Sequence, residues 1–318
     1  MTLSITGIIP VMLTPFTPDN QIDWPGYERL IDWYIDNGAE ALFAVCMSSE
    51  MHYLTLEERI HLARFTVETV KKRVPVVASG HVSNGLADQR TELTAIADTG
   101  VDGVVLVTNR LVPPEGDSQA LRDHIDALLS ALPADLHLGL YECPVPYRRL
   151  LSDTEIDYCA QTGRFTFIKD VSCDLLTVKR RLALTKDTPL SIINANAAIA
   201  WPALQAGAAG FCGVMTNLHP DLYRWLQDHG AQYPEFAEEL ATFLVLAAMC
   251  ESMGYPKLAK ILHQRLGTFT HAGSRAVSYD VREKHWAFDE VLTRVEKGTA
   301  HFRARIAGLG GAINSNSF

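Results

Sequence analysis

The chain has 318 residues, 47% of them hydrophobic, and a formal net charge of −9. This length allows one large domain or two, with ample material for a buried core. The acidic balance and the lack of a basic stripe argue against a nucleic-acid-binding protein. No run of about 18 apolar residues predicts a transmembrane helix.

The six cysteines form neither a C-x-x-C pair nor a Cys/His cluster with the spacing of zinc ligands. Several lie in apolar runs, where a thiol packs as a small hydrophobic group. We therefore expect reduced, structural thiols and no metal site. The first residues, M-T-L-S-I-T-G, lack the pattern of a signal peptide, so we expect a cytoplasmic protein.

Eight apolar, strand-like runs follow one another through the first two thirds of the chain, each followed by a helical pattern. The runs cover residues 7–14, 41–46, 75–80, 102–108, 137–142, 165–170, 190–194 and 209–214. Helical periodicity covers residues 24–37, 56–72, 86–98, 118–131, 153 onward, 175–182, 197–205 and 223–230. Alternation of this kind predicts a parallel sheet with helices packed on it.

Eight such units, with near-continuous apolar strands, predict a (β/α)₈ barrel. A doubly wound sheet is the alternative, but P-V-M-L-T-P-F follows the first strand where a G-x-G-x-x-G would be needed. Strand signals stop after the eighth run. We expect the barrel over residues 1–225, a helical region over 226–306 and a loose, Gly/Asn/Ser-rich tail over 307–318.

The active site of such a barrel lies at the carboxyl ends of its strands. Lys169, in F-T-F-I-K-D, ends the sixth strand, and Tyr141 ends the fifth. Desolvation disfavours the charged form of an amine, and a neutral amine can condense with a carbonyl to a Schiff base. The phenol of Tyr141 can pass protons at the same centre. A structural ion pair of Lys169 with Glu142 or Asp170 is the alternative.

These motifs resemble the dihydrodipicolinate synthase and N-acetylneuraminate lyase family of class I aldolases. Y-E-C-P followed by F-I-K-D matches the family's proton-shuttling tyrosine and Schiff-base lysine, which implies those roles for Tyr141 and Lys169. T-P-F at the first strand, E-x-x-x-L in the second loop, V-D-G-V and G-A-A-G-F-C-G-V also match. The resemblance covers about residues 5–300 in the order of the elements.

The second loop departs from the family pattern G-[ST]-T-G-E, since it reads C-M-S-S-E. Met47 stands where a proton-relay hydroxyl belongs, and a thioether cannot relay a proton. Ser48 keeps the second hydroxyl, and Ser49 replaces a glycine. We expect Ser48, Ser49 and Thr14 to contribute to substrate binding.

The family's second tyrosine is replaced by T-N-R-L, which places Arg110 near the mouth or in solvent. Arg148 is a candidate for binding a substrate anion, since a guanidinium suits a carboxylate, although a solvated arginine is equally consistent. Asn194 and Asn196 end the seventh strand and suit either substrate binding or a turn. His81 ends the third strand and suits acid–base chemistry or a structural hydrogen bond.

The resemblance implies a Schiff-base-forming lyase, an aldolase or dehydratase, with pyruvate as product or co-substrate. It implies a covalent imine on Lys169 and no other cofactor. The departures argue against dihydrodipicolinate synthase itself and disfavour sialic-acid cleavage. They favour a 2-keto-3-deoxy sugar acid or another 4-hydroxy-2-oxo acid. Family members are commonly dimers of dimers, which implies a homotetramer.

A second hypothesis is a catalytically degenerate barrel that binds or senses a small molecule. Met47 and the missing second tyrosine support it, and imine formation discriminates between the two. A metal-dependent barrel aldolase is disfavoured, because carboxylates and histidines do not cluster at the predicted strand ends.

Overall fold

Eight short parallel strands form the centre of the computed structural model, which describes residues 5–310. The strands are β1 Gly7–Ile8, β2 Leu42–Phe43, β3 Val76–Ala78, β4 Gly103–Val107, β5 Leu138–Tyr141, β6 Phe165–Asp170, β7 Ser191–Asn194 and β8 Gly210–Phe211. They pair in the order β1-β8-β7-β6-β5-β4-β3-β2.

The segment after β1 brings the sheet back onto β2 and closes the ring. The amide of Phe43 donates to the carbonyl of Pro10 at 3.0 Å, and the amide of Met12 donates to the carbonyl of Phe43 at 3.0 Å. Pro10 has no amide hydrogen of its own, so the regular ladder of β1 is shorter than the predicted run. The (β/α)₈ barrel expected from the sequence is confirmed.

Helices follow the strands and form the outer layer. Those of the barrel are α1 Trp24–Asp36, α2 Leu56–Val70, α3 Leu86–Ala97, α4 Thr108–Leu111, α5 Ser118–Leu129, α6 Asp153–Gln161, α7 Leu175–Thr185, α8 Ala200–Gln205 and α9 Pro220–His229. The C-terminal region adds α10 Pro234–Ala248, α11 Lys257–Arg265, α12 Val281–Lys284 and α13 Phe288–Gly308.

Local sequence signals explain where several helices begin. Thr55 accepts a hydrogen bond from the amide of Glu58, and the Glu58 carboxylate accepts one from the amide of Thr55, which is a capping box at the start of α2. Ser152 and Glu155 form the same arrangement at α6. Asp174 caps α7 by accepting from the amide of Thr177.

The barrel interior is packed with strand side chains, and every residue of β4 and β6 is buried. Gly139 in β5 shows how closely the layers fit. A Cβ at this position would lie 2.3 Å from the ring carbon Cζ of Phe167. Glycine therefore makes room for the phenylalanine of the neighbouring strand.

The C-terminal helices pack against one another and against the barrel. The ring of Phe243 in α10 stacks on that of Phe302 in α13 at 5.0 Å, and Arg303 in α13 pairs with Asp221 in α9. The last part of the predicted helical region forms two helices, α12 and α13, and the second continues to Gly308. The rest of the predicted tail, 311–318, lies outside the described residues. Within the described part, no helix has the length and apolarity to cross a membrane.

Candidate active site

A cavity of about 460 Å³ opens at the carboxyl ends of the strands, beneath the C-terminal helical region. This volume lies within the range of small-molecule sites. The barrel contributes Met47, Ser48, Tyr141, Val171, Lys169, Asn196 and Val214 to its walls, among others. The C-terminal region contributes Val245, Ala248, Met249, Glu251, Tyr255, Ala276 and Val277, among others.

Lys169 and Tyr141 lie side by side in this cavity because β5 and β6 pair in parallel with these two residues in register. The Lys169 side chain is 5% exposed. Its Nζ lies 4.3 Å from the centre of the Tyr141 ring and 5.6 Å from that of Phe43. Among residues 5–310, no carboxylate lies within 4.0 Å of this nitrogen. A buried amine beside a phenol and without a counter-ion suits attack on a carbonyl.

The structural alternative for Lys169 fails because another cation occupies both strand-end carboxylates. Arg181 of α7 is fully buried and donates to Glu142 through both terminal nitrogens, at 2.7 and 2.9 Å. The same guanidinium pairs with Asp170. Burial opposes the charge on Arg181, but these two carboxylates outweigh burial and raise its pKa. Sequence reasoning missed Arg181, because Glu142 lies 39 residues away and the local pattern does not show which face of α7 meets the strand ends.

The Tyr141 phenol is enclosed by the barrel wall. Burial raises its pKa well above the usual value, and the thiols of Cys143 and Cys46 add to the shift. The phenol therefore holds its proton at neutral pH and begins any reaction cycle as a proton donor.

In the second loop, only part of the expected carboxylate-binding apparatus faces the cavity. Met47 and Ser48 line it, and the Met47 sulfur lies 4.0 Å from that of Cys143. Ser49 is buried, and its hydroxyl contacts the carbonyls of Met12 and Ala44 at 2.8 and 2.7 Å. Ser49 therefore braces the loop.

Tyr255 of the C-terminal region supplies a hydroxyl that sequence reasoning missed. Its hydroxyl donates to Ser48 Oγ at 2.7 Å and accepts from Asn217 Nδ2 at 2.8 Å. Because Tyr255 donates to Ser48, the hydrogen of the serine hydroxyl points elsewhere. That hydrogen has no acceptor within residues 5–310, so it is available to a ligand in the cavity.

Three other candidates mainly support the strand ends. Thr14 is buried and donates to the carbonyl of Ser49 at 2.8 Å. Asn194 is buried and exchanges hydrogen bonds with the backbone of Asn196 at 2.8 and 3.1 Å. Asn196 lines the cavity, while its side-chain oxygen Oδ1 accepts from the amide of Ala198. Of these three, only Asn196 contributes to the cavity wall.

The remaining three candidates lie outside the cavity wall. His81 is buried, accepts from the amide of Val107 at 3.0 Å, and has its pKa lowered to about 4 by burial. Arg110 donates to the side chain of Asn84. Arg148 is exposed, and its guanidinium donates to the carbonyls of residues 171 and 172. The structure therefore places both arginines outside the cavity wall.

Two carboxylates border the cavity, and they differ in their partners. Glu50 is buried and pairs with Lys260, and it also accepts from the hydroxyl of Ser274, which fastens the second loop to the C-terminal region. Glu251 forms no ion pair within residues 5–310. Glu251 is exposed at the cavity rim, where partial desolvation raises the pKa of its carboxyl and Lys169 opposes that shift. In the described part of the chain, no three His, Cys, Asp or Glu side chains are grouped so that they could hold a metal ion.

Comparison with known proteins gives the family. A sequence profile described as the Dihydrodipicolinate synthetase family matches residues 4–274. The chain belongs to this family. A 4-hydroxy-tetrahydrodipicolinate synthase of Oceanobacillus iheyensis is 30% identical over 212 residues, which are 66% of this chain and 70% of that protein. Membership makes the chain an enzyme of the class I aldolase type.

Solved structures of the dihydrodipicolinate synthetase family share the fold. Dihydrodipicolinate synthase DapA-2 of Bacillus anthracis has a TM-score of 0.80 at 25% identity, over 92% of this chain and 99% of that chain. YagE, a prophage protein of E. coli K12 solved in complex with pyruvate, has a TM-score of 0.79 at 21% identity, over 92% and 98%. The likeness to YagE shows the fold.

Proposed function

We propose that the protein is a Schiff-base lyase that cleaves a 4-hydroxy-2-oxo acid to pyruvate and an aldehyde. The observation that carries this proposal is the buried Lys169 amine, which lies against the Tyr141 ring in an enclosed cavity and has no ion-pair partner in the described residues. Family membership supports it, since the family's chemistry is of the pyruvate-dependent aldolase type.

The first half of the cycle joins the substrate to the enzyme. The neutral Lys169 amine attacks the C2 carbonyl, and the resulting carbinolamine loses its hydroxyl as water to give an iminium. Tyr141 donates the proton that this departing hydroxyl needs. The raised pKa of the phenol means that the proton is present at the start. The phenolate that results lies beside the new positive charge, which stabilises it.

The second half breaks the carbon–carbon bond. The Tyr141 phenolate takes the proton of the C4 hydroxyl, the C3–C4 bond breaks, and its electron pair moves into the iminium to form an enamine. An aldehyde leaves. Tyr141 then gives this proton to C3 of the enamine, which restores the iminium. Water attacks the iminium and loses a proton to the Tyr141 phenolate, and the product separates into pyruvate and the free Lys169 amine.

The substrate carboxylate binds at the second loop. Ser48 lines the cavity, and its hydroxyl hydrogen is free because Tyr255 already donates to its oxygen. A hydrogen bond from a neutral hydroxyl to a carboxylate is charge-assisted and therefore strong. Tyr255 thus acts as a positioning residue that directs the Ser48 hydrogen toward the carboxylate.

Intact-mass spectrometry after borohydride reduction with pyruvate tests the proposal. We expect wild-type protein to gain the mass of one reduced pyruvyl group and Lys169→Ala to gain none. Lys260→Ala is an unsuitable control because that lysine is buried in an ion pair, so the exposed Lys72→Ala serves instead and should form the adduct. Absence of an adduct with every 2-oxo acid tested would contradict the lyase and favour the degenerate binding protein.

We also propose that the protein is cytoplasmic and works as a homo-oligomer, a dimer of dimers. Large apolar side chains on the surface support an association between subunits, since Leu246 is 67% and Trp286 is 95% exposed. Light scattering coupled to size-exclusion chromatography tests the assembly, and a monomer at micromolar concentration would contradict it.

A further inference from the structure

We propose that the group beyond C4 of the substrate is apolar and uncharged, so that the aldehyde released is an alkyl or aryl aldehyde. Polyhydroxylated and anionic aldehydes are disfavoured. This inference rests on the proposed function, because it concerns the part of the same cavity that the 2-oxo acid leaves open.

The charges around the cavity exclude a second carboxylate on the substrate. Among the described residues that line it, Lys169 is the only lysine or arginine, and imine formation consumes that amine. Arg148 is held by backbone carbonyls outside the wall. Glu50 is neutralised by Lys260, whereas Glu251 presents an unpaired carboxylate. A second substrate anion would be desolvated against this carboxylate without a cation to offset the cost.

Much of the cavity wall is aliphatic, although His52, Asn196 and Glu251 also line it. Val171 and Val214 extend from the ends of β6 and β8, and Val245, Ala248 and Val277 close the cavity from the C-terminal region. These side chains come from separate segments of the chain and face one space. An aliphatic or aromatic group placed there would exchange water for carbon contacts on several sides.

A chain of hydroxyl groups would find few partners in the same space. Ser48 and Tyr255 bond to each other and serve the substrate carboxylate, and Asn196 Oδ1 already accepts from a backbone amide. The side-chain nitrogens of Asn196 and His52 and the carboxylate of Glu251 are polar groups left on the wall, and they are fewer than a polyhydroxylated chain needs. A sugar-like substituent would therefore lose water at several hydroxyls and regain few hydrogen bonds. This argument selects against a 2-keto-3-deoxy sugar acid within the wider class of 4-hydroxy-2-oxo acids.

A homologous series of aldehydes measures this preference in the condensation direction. The assay combines pyruvate with propanal, butanal, pentanal or hexanal and quantifies the 4-hydroxy-2-oxo acid product by mass spectrometry. We expect kcat/KM to rise about fourfold for each added methylene until the cavity is full. Glyceraldehyde and succinic semialdehyde represent the polyhydroxylated and anionic classes, and both should react more slowly than pentanal.

Two variants and one matched control test which wall residues set the aldehyde preference. Val245→Thr keeps the side-chain volume and adds a hydroxyl to the wall, so it should lower kcat/KM for hexanal about fivefold. Val291→Thr, a half-buried valine of α13 outside the cavity, is the matched control. Glu251→Gln removes the unpaired charge, and it should raise the rate with succinic semialdehyde relative to pentanal about threefold.

The borohydride adduct separates failure of this inference from failure of the proposed function. Suppose that the pyruvyl adduct forms but kcat/KM does not change along the aldehyde series, or that glyceraldehyde or succinic semialdehyde reacts faster than pentanal. Either result would overturn the apolar subsite and leave the proposed lyase activity standing. Absence of any pyruvyl adduct would overturn both. The assignment is supported if the pyruvyl adduct forms and kcat/KM rises along the aldehyde series. In that case Val245→Thr should flatten the rise, and Val291→Thr should leave it unchanged.

Discussion

The hydroxyl of Tyr255 provides a sharp test of how the carboxylate site is built. Tyr255→Phe removes the donor to Ser48 at 2.7 Å and the acceptor for Asn217 at 2.8 Å. The amide of Asn217 keeps the carbonyls of Val11 and Val214 as acceptors, at 2.9 and 3.1 Å. The variant therefore leaves no buried donor of Asn217 without a partner, and the fold should survive.

The expected changes in stability and in KM follow from the hydrogen bonds that Tyr255→Phe removes. A net loss of one neutral hydrogen bond lowers the free energy of unfolding by about 1 kcal/mol. In the site, the Ser48 hydrogen is no longer directed at the substrate carboxylate. Losing about 1 kcal/mol of that interaction raises KM for pyruvate about fivefold. The value of kcat should change less, because the carboxylate interaction is present in both ground state and transition state.

The assay is steady-state kinetics of wild type, Tyr255→Phe, Ser48→Ala and the double variant. If Tyr255 acts through Ser48, the double variant should match Ser48→Ala, giving strongly non-additive effects. Tyr233→Phe is the matched control, since that tyrosine is 38% exposed and outside the cavity. Additive losses, or a fall in kcat with unchanged KM, would refute the positioning role of Tyr255.

Three further predictions concern stability and catalysis. Arg181→Leu leaves two buried carboxylates without a cation and should lower the free energy of unfolding by about 3–5 kcal/mol in urea titrations, whereas the exposed Arg180→Leu should change it by at most about 1 kcal/mol. Burial lowers the pKa of His81 and His263 to about 4, so the unfolded chain binds more protons than the folded protein between about pH 4 and 6.5. Stability should therefore fall as the pH falls through that window, by about 2 kcal/mol for each histidine at pH 5, in urea titrations at pH 5 and 7.5. Tyr141→Phe should lower kcat by about 10²–10⁴-fold and slow formation of the borohydride adduct, which still forms because Lys169 remains and water can protonate the departing hydroxyl.

Each of these has a result that would contradict it. Equal stability of the Arg181→Leu and Arg180→Leu variants would mean that the buried carboxylates do not depend on the guanidinium. An unfolding free energy that is flat between pH 5 and 7.5, or that increases toward acid, would contradict neutral buried histidines. A near wild-type kcat in Tyr141→Phe would show that another group, or water, carries out the proton transfers assigned to Tyr141.

The sequence predicted the barrel and its two central site residues because those depend on short-range patterns. Alternating apolar runs and helical periodicity reveal parallel strands, and the carboxyl end of each strand can be read directly from where the run stops. Lys169 and Tyr141 were therefore expected in one mouth, and the structure brings them together in register.

The pattern was less informative for residues near strand ends whose side chains turn away from the mouth. Ser49, Thr14 and Asn194 occupy the expected places in the chain, but they hydrogen-bond to neighbouring backbone instead of lining the cavity. The position of a residue in the chain fixes where its side chain is attached to the backbone. The direction of its side chain depends on which polar partners the folded loop leaves unsatisfied.

Local patterns were enough to predict the fold class, the family and the position of the reactive amine, because strand periodicity and short motifs encode them. The folded structure was needed to show that Arg181 pairs with Glu142 and Asp170, 39 and 11 residues away, and that Tyr255 pairs with Ser48, 207 residues away. Only it showed which side chains of the C-terminal helices close the cavity. The physical reason is that local propensity sets the helices, whereas packing of distant faces decides which side chains meet.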